Sequence, residues 1–199
     1  QMCIRDSIKT FVIEADNKEP TPGQVVDLGL SVKWAGWNIG ANKPEDFGSY
    51  YAWGETGEKS VYEYKTYSYW KDLDESGDYI LPDCKGGDCM NYAEFVNIGN
   101  NISGTNYDVA HVRWGGNWRM PTYDECAELK KCKQKWIEYH GVGGLLITGP
   151  NGNSIFLPAV KYKGENVLGG WSKAWYWTAS IHDLSLIHIS EPTRRRGIS

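Results

Sequence analysis

Trp114-Gly115-Gly116-Asn117-Trp118-Arg119-Met120-Pro121-Thr122 places two tryptophans, a glycine pair, a buriable arginine and a helix start in nine residues. Such a stretch has little use as a linker. It reads as a packed turn at the centre of a fold. Thr122-Tyr123-Asp124-Glu125 continues it as a capping box: the Thr122 hydroxyl can accept from the Glu125 N–H, and the Glu125 carboxylate can reach back to the Thr122 N–H. Acidic residues in the first turn and lysines further on suit the helix dipole. Cys126, Leu129, Cys132 and Trp136 share roughly one helical face. One main helix is therefore expected over about residues 123–135, with Trp114, Trp118, Arg119, Pro121 and Thr122 as framework.

Outward from that turn, the chain reads as short strands and long loops. Val25–Ala35 alternates apolar runs around Gly29 and predicts two strands. Trp37–Ala41 and the aromatic Ser49–Glu55 predict further extended pieces. Pro44–Gly48 reads as a helical turn stopped by glycine. Leu145–Thr148 and Ser154–Leu157 flank Gly149-Pro150-Asn151-Gly152-Asn153, a strand–turn–strand unit in which Asn151-Gly152 offers positive φ angles. Trp171–Ser180 predicts another aromatic strand. Residues 56–107 form the irregular half, a long polar insertion rich in Tyr, Gly, Asp and Asn.

Both ends stand apart. Met2–Ser7 can be encoded by ATG TGT ATA AGA GAC AGN, and the reverse complement of that element translates to Leu-Ser-Leu-Ile-His, the residues at Leu184–His188. Inverted copies of one DNA element are no folding feature; they resemble a translated sequencing adapter, so residues 1–7 and 184–199 are read as adapter-derived. Residues 8–24 read as a linker or the end of a preceding segment, with strand character in Ile8–Glu14. Residues 25–183 read as one domain. Its C-terminal strands are expected to be truncated, leaving a sheet edge exposed.

Composition narrows the function. The chain has 199 residues and a formal net charge of −4; setting aside Arg5, Arg194–Arg196, Asp6 and Glu191 moves it to −6. An acidic domain without a basic stripe argues against nucleic acid as partner. No apolar run is long enough to span a membrane as a helix. Ten Trp and thirteen Tyr against four Phe mean that most aromatic rings carry a polar handle needing a partner when buried. With abundant glycine, this suggests a loop-rich exported fold.

The motifs Val26–Ala35, Tyr51-Ala52-Trp53-Gly54-Glu55, Trp114–Thr122, Thr148–Pro158 and Tyr176-Trp177-Thr178-Ala179-Ser180, in this order, resemble the Fibrobacter succinogenes major paralogous domain over about Val25–Asp183. The resemblance implies an α+β, C-type-lectin-like fold of short twisted antiparallel strands. It implies a bacterial exported protein at the cell surface, such as a lipoprotein. The expected function is non-enzymatic: a ligand-binding or adhesion module, secreted or on the outer surface, whose partner is an extracellular protein or glycan. A structural surface domain without a defined ligand is the alternative. A relative of formylglycine-generating enzymes ranks last, since nothing matches the cysteine pair of that group. In related folds the ligand surface lies on the last strands, which here would follow Ser180.

Candidate chemistry is sparse. Tyr62, Tyr64, Tyr67, Tyr69 and Trp70 alternate imperfectly over Val61–Trp70, as in a strand with one aromatic face on the core. As a ligand platform, Tyr67, Trp70, Trp175 and Trp177 are the candidate stacking residues. Glu55, Glu58 and Glu63 are the acidic residues that a glycoside mechanism would draw on, though acidic loop residues are more often simply solvated. Cys84 and Cys89 either close a small disulfide loop or remain free thiols. No cofactor is expected, with one exception. Asp72, Asp74, Ser76 and Asp83 fall at positions of a loop that partly imitate a calcium site around Gly77. Calorimetric titration with calcium tests this: binding heat is expected if the loop is a site, and a flat titration at millimolar calcium removes it.

Overall fold

The computed structural model describes residues 9–10, 13–14, 25–62, 66–71, 95–159, 173–180 and 186–190. Among them the strands are β1 (Lys9–Thr10), β2 (Ile13–Glu14), β3 (Val25–Val26), β4 (Lys33–Ala35), β5 (Lys133–Tyr139), β6 (Val142–Thr148), β7 (Ser154–Pro158), β8 (Lys173–Trp177) and β9 (Leu186–Ser190). Two helices, α1 (Val109–Trp114) and α2 (Tyr123–Lys131), lie between β4 and β5. The strands form small three-stranded sheets in the orders β1-β8-β9, β2-β4-β3 and β5-β6-β7. All pairings but β1 with β8 are antiparallel. The fold is thus mixed α and β, with antiparallel sheets and few helices.

The regular part is the β5-β6-β7 meander. Tyr139 pairs with Val142 across a two-residue turn in which His140 and Gly141 both have positive φ, 48° and 81°. That is the twist a tight hairpin requires. The β6–β7 turn forms where its sequence indicates, but only Gly152 of the Asn151-Gly152 pair has positive φ. The Asn151 side chain serves instead as a tie, donating from Nδ2 to the Asp27 carbonyl at 2.8 Å. Gly149 is needed for close approach: a Cβ there would strike the Leu28 carbonyl oxygen.

The main helix begins at the expected cap and ends four residues early. The reciprocal Thr122–Glu125 capping box is present, and Cys132 already has extended backbone, φ −66° and ψ 163°. Trp136 therefore sits on β5, not on the helix. The reason is competition: Trp136-Ile137-Glu138-Tyr139 has strand-forming character and finds a complete partner in β6. No glycine marks the helix end, so the lysine-rich run Lys130–Lys135 gives no local stop signal.

Trp37–Ala41 forms turns rather than a strand, and within Ser49–Glu55 only Tyr51 has an isolated bridge. Val61–Trp70 likewise forms no strand over its described residues, although Trp70 bridges to Phe95. The strand character expected around Ile8–Glu14 appears as β1 and β2, which pair with β8 and β4 of the domain. β8 is paired with β9, from Lys173↔Ser190 to Trp177↔Leu186, a strand that lies in the stretch read as adapter-derived.

One core lies between α2 and the meander. Cys126 and Leu129 face Leu145, Ile147, Ile155 and Leu157, with Leu28, Trp34 and Tyr176 filling the end. A second gathers Tyr51, Trp53, Ile102, Val109, Met120 and Trp177. A third is aromatic, around Tyr62, Tyr67 and Trp70. Leu129 is 1 % exposed. Leu129→Ala removes buried volume that α2 and the sheet cannot both close, and is expected to cost about 3 kcal/mol in denaturant unfolding.

Candidate functional site

Asp108 is completely buried and caps α1. Its Oδ1 accepts from the Ala110 and His111 N–H groups at 2.8 and 3.1 Å. Its Oδ2 accepts from Gly104 at 2.7 Å and from Met120, twelve residues on, at 2.8 Å. Burial pushes the Asp108 carboxyl above its ordinary range, and the four N–H groups recover only part of that rise. The group acts as a structural hub with its lone pairs occupied by the backbone. The sequence reading missed both α1 and this residue. The available signal was an N-cap aspartate before the short apolar pair Val109-Ala110.

The opening stretch is framework. Trp114 and Trp118 pack edge to face, 5.2 Å between centroids, against the second core. Arg119 grips Glu125 with both terminal nitrogens, at 3.0 and 2.6 Å, and also donates to Ser103 Oγ. Pro121 offers its carbonyl to the Ala179 N–H at 2.7 Å. Burial pushes the Glu125 carboxyl up, but Arg119 and the Thr122 N–H and hydroxyl together outweigh it and hold it below the ordinary 4.5.

The five sequence motifs converge on one another. Trp53 Nε1 donates to the Thr178 carbonyl at 3.0 Å, and Trp177 Nε1 returns to the Tyr51 carbonyl at 3.3 Å. The Tyr176 hydroxyl donates to the Pro158 carbonyl at 2.8 Å. Asn151 and Asn153 both donate to the Asp27 carbonyl.

This frame absorbs the aromatic ligand candidates. Tyr67 and Trp70 are each 5 % exposed, and Trp177 is 5 % exposed; none presents a ring for stacking on a ligand. The Tyr67 hydroxyl donates to the Trp53 carbonyl at 3.0 Å, and Trp70 packs edge-on against Phe95 at 5.4 Å. The core reading of Val61–Trp70 holds for these rings, although no strand forms among its described residues. The Trp175 side chain lies outside the described residues, as do Asp72, Asp74, Ser76, Asp83, Glu63, Cys84 and Cys89. Glu55 is buried and accepts from the Ser68 N–H and Lys59 Nζ, both at 2.6 Å, while Glu58 accepts from Ser49 Oγ. They tie loops rather than flank an open bond. Burial pushes the Cys126 thiol far up and the Cys132 thiol up as well, as for small apolar packing residues rather than reactive thiols.

The described residues also contain a groove of about 550 Å³, where three elements meet. Gly29–Ser31 form one wall and Gly149 and Pro150 another. The end of α2 and the start of β5 supply Glu128, Lys131, Cys132 and Lys133. Glu128 is held in place by the Ser31 N–H at 3.0 Å, which leaves Lys131 and Lys133 as the exposed charges of the rim. In sequence these lysines read as the later part of the expected helix, where positive charge suits the dipole, so nothing marks them as the rim of a groove.

Glu125→Gln breaks the bidentate grip on a half-buried arginine and is expected to cost about 1–3 kcal/mol. Because the folded carboxyl lies below 4.5, its stabilisation is present above that pH and is lost as pH falls through the depressed folded value. Thermal melts across pH should show the Gln variant losing less stability than the parent between pH 5 and the acid limit. No family model matches the chain, and neither the curated proteins nor the solved structures provide a match.

Proposed function

We propose that the chain is a non-enzymatic ligand-binding or adhesion module of an exported bacterial surface protein, with a C-type-lectin-like fold of the major paralogous type. Its partner is an extracellular protein or glycan, and it acts extracellularly or on the outer cell surface. The observation that carries this reading is the convergence of the five motifs. Trp53 and Trp177 clasp across 124 positions of sequence, and the Asn151–Asp27 tie closes the other end. A frame held by such ties can carry long loops between its fixed points, as binding folds do. Asp108, Glu125 and Glu55 are committed to backbone or lysine and arginine partners. That commitment supports a role without catalysis at these carboxylates. No helix among the described residues is long and apolar enough to cross a membrane.

The burial of Tyr67, Trp70 and Trp177 favours, as a second reading, a structural surface domain without a defined ligand. Glycan and extracellular-protein arrays separate the two. Saturable binding by the folded chain, lost on thermal unfolding, is expected of a binding module. A blank on both arrays, with no binding of free peptides either, supports the structural domain.

A further inference from the structure

The β5-β6-β7 meander ends on an exposed edge. β5 pairs only with β6 among the described residues, and Lys133, Gln134, Lys135, Glu138 and Tyr139 are exposed along it. In an antiparallel sheet, half of an edge strand's N–H and C=O groups point away from its neighbour. β5 therefore offers a seven-residue ladder without a second partner strand among the described residues. Its charge is unlike that of the chain. Lys130, Lys131, Lys133 and Lys135 put four positive charges into six residues of a protein whose net charge is −4, and all four are exposed.

We propose that the β5 edge binds an extended acidic peptide segment of a partner protein by strand addition. This rests on the ligand-binding reading above and names the class of ligand. Main-chain hydrogen bonds to β5 supply the attachment, and acidic side chains on the incoming strand meet Lys133 and Lys135. An antiparallel strand would run from Tyr139 towards Lys133, so its C-terminal end approaches the groove where Lys131 and Lys133 form the rim. Lysines on a free edge also repel a like edge. Charge complementarity at such a surface governs choice of partner and association rate.

The test is fluorescence anisotropy with a labelled seven-residue peptide of alternating Glu and Val, blocked at both ends, titrated with the full chain. Saturable binding is expected, weakened roughly tenfold by K133E/K135E. It should be lost when alternate peptide nitrogens are methylated, because methylation removes strand donors without changing charge. Thermal melts of K133E/K135E and of K133Q/K135Q show that the fold is intact; the Gln pair should weaken binding less than the Glu pair. Absence of peptide binding overturns the proposal. So does equal binding of the N-methylated peptide, or equal competition by an acidic polyuronate, either of which reveals a plain cationic patch. Array binding that K133E/K135E leaves intact sinks strand addition at β5 while preserving the wider ligand-binding reading. A blank array with a positive peptide titration supports both.

Discussion

The structure depends on aromatic side chains that donate to backbone carbonyls. Tyr62 donates to the Tyr50 carbonyl, Tyr67 to Trp53, Tyr69 to Gly54, Trp53 to Thr178, Tyr176 to Pro158 and Trp177 to Tyr51. Most of the receiving carbonyls belong to irregular backbone over Tyr50–Gly54, which lacks a strand of its own. A buried carbonyl without a donor costs about 1–3 kcal/mol, and a sheet ladder would normally supply one. Here rings do, and they fill the core at the same time. That explains why Trp and Tyr so outnumber Phe: phenylalanine could pack these cores, but could not satisfy the backbone that passes through them.

Asp108 solves the same problem with the opposite polarity. It answers unpaired N–H groups of the Gly104 loop, the first turn of α1 and Met120. The cost is a buried charge, visible in the upward displacement of its carboxyl. Arg119 and Glu125 carry less of that cost because each neutralises the other, and Glu125 also serves the helix cap. Together these groups place α1, the Trp turn and α2 in register without a regular sheet between them. An irregular fold of this kind spends its polar residues on its own backbone, which is why so few of the buried ones remain for chemistry.

What was legible in the sequence was local. The Thr122–Glu125 box, the β6–β7 hairpin and the strand pair Val25–Ala35 each rest on spacing within a dozen residues. The framework reading of Trp114–Thr122 was legible too, since an arginine directly after a tryptophan pair needs a partner when packed. The end of α2 was not: helix propensity favoured continuation through the lysines, and only the long-range partner β6 made a strand win at Lys133. Nor was the fate of the Val61–Trp70 rings. Alternation suggested a strand, whereas Tyr62 and Tyr67 are held by carbonyls at Tyr50 and Trp53. Those carbonyls lie over ten residues away, beyond any periodic pattern. Asp108 was overlooked because its most distant donor, Met120, is visible only after folding.

These differences bear on where recognition belongs. Rings that cross-link the frame cannot turn outward without leaving carbonyls unpaired, so aromatic abundance here is a stability signal before it is a binding signal. The meander is the contrasting region. Its β5–β6 and β6–β7 ladders satisfy each other, so it takes an aromatic donor at its end, Tyr176 on the Pro158 carbonyl, rather than along its length, and its outer strand pairs with β6 alone among the described residues. Trp136 packs inward against the first core and anchors β5, while the charged residues on either side of it stay in water. A strand anchored by one face and open along one edge can accept a partner without disturbing the core. The crowded motifs hold the fold, and among the described residues the plainest hairpin is the part that keeps an unpaired edge.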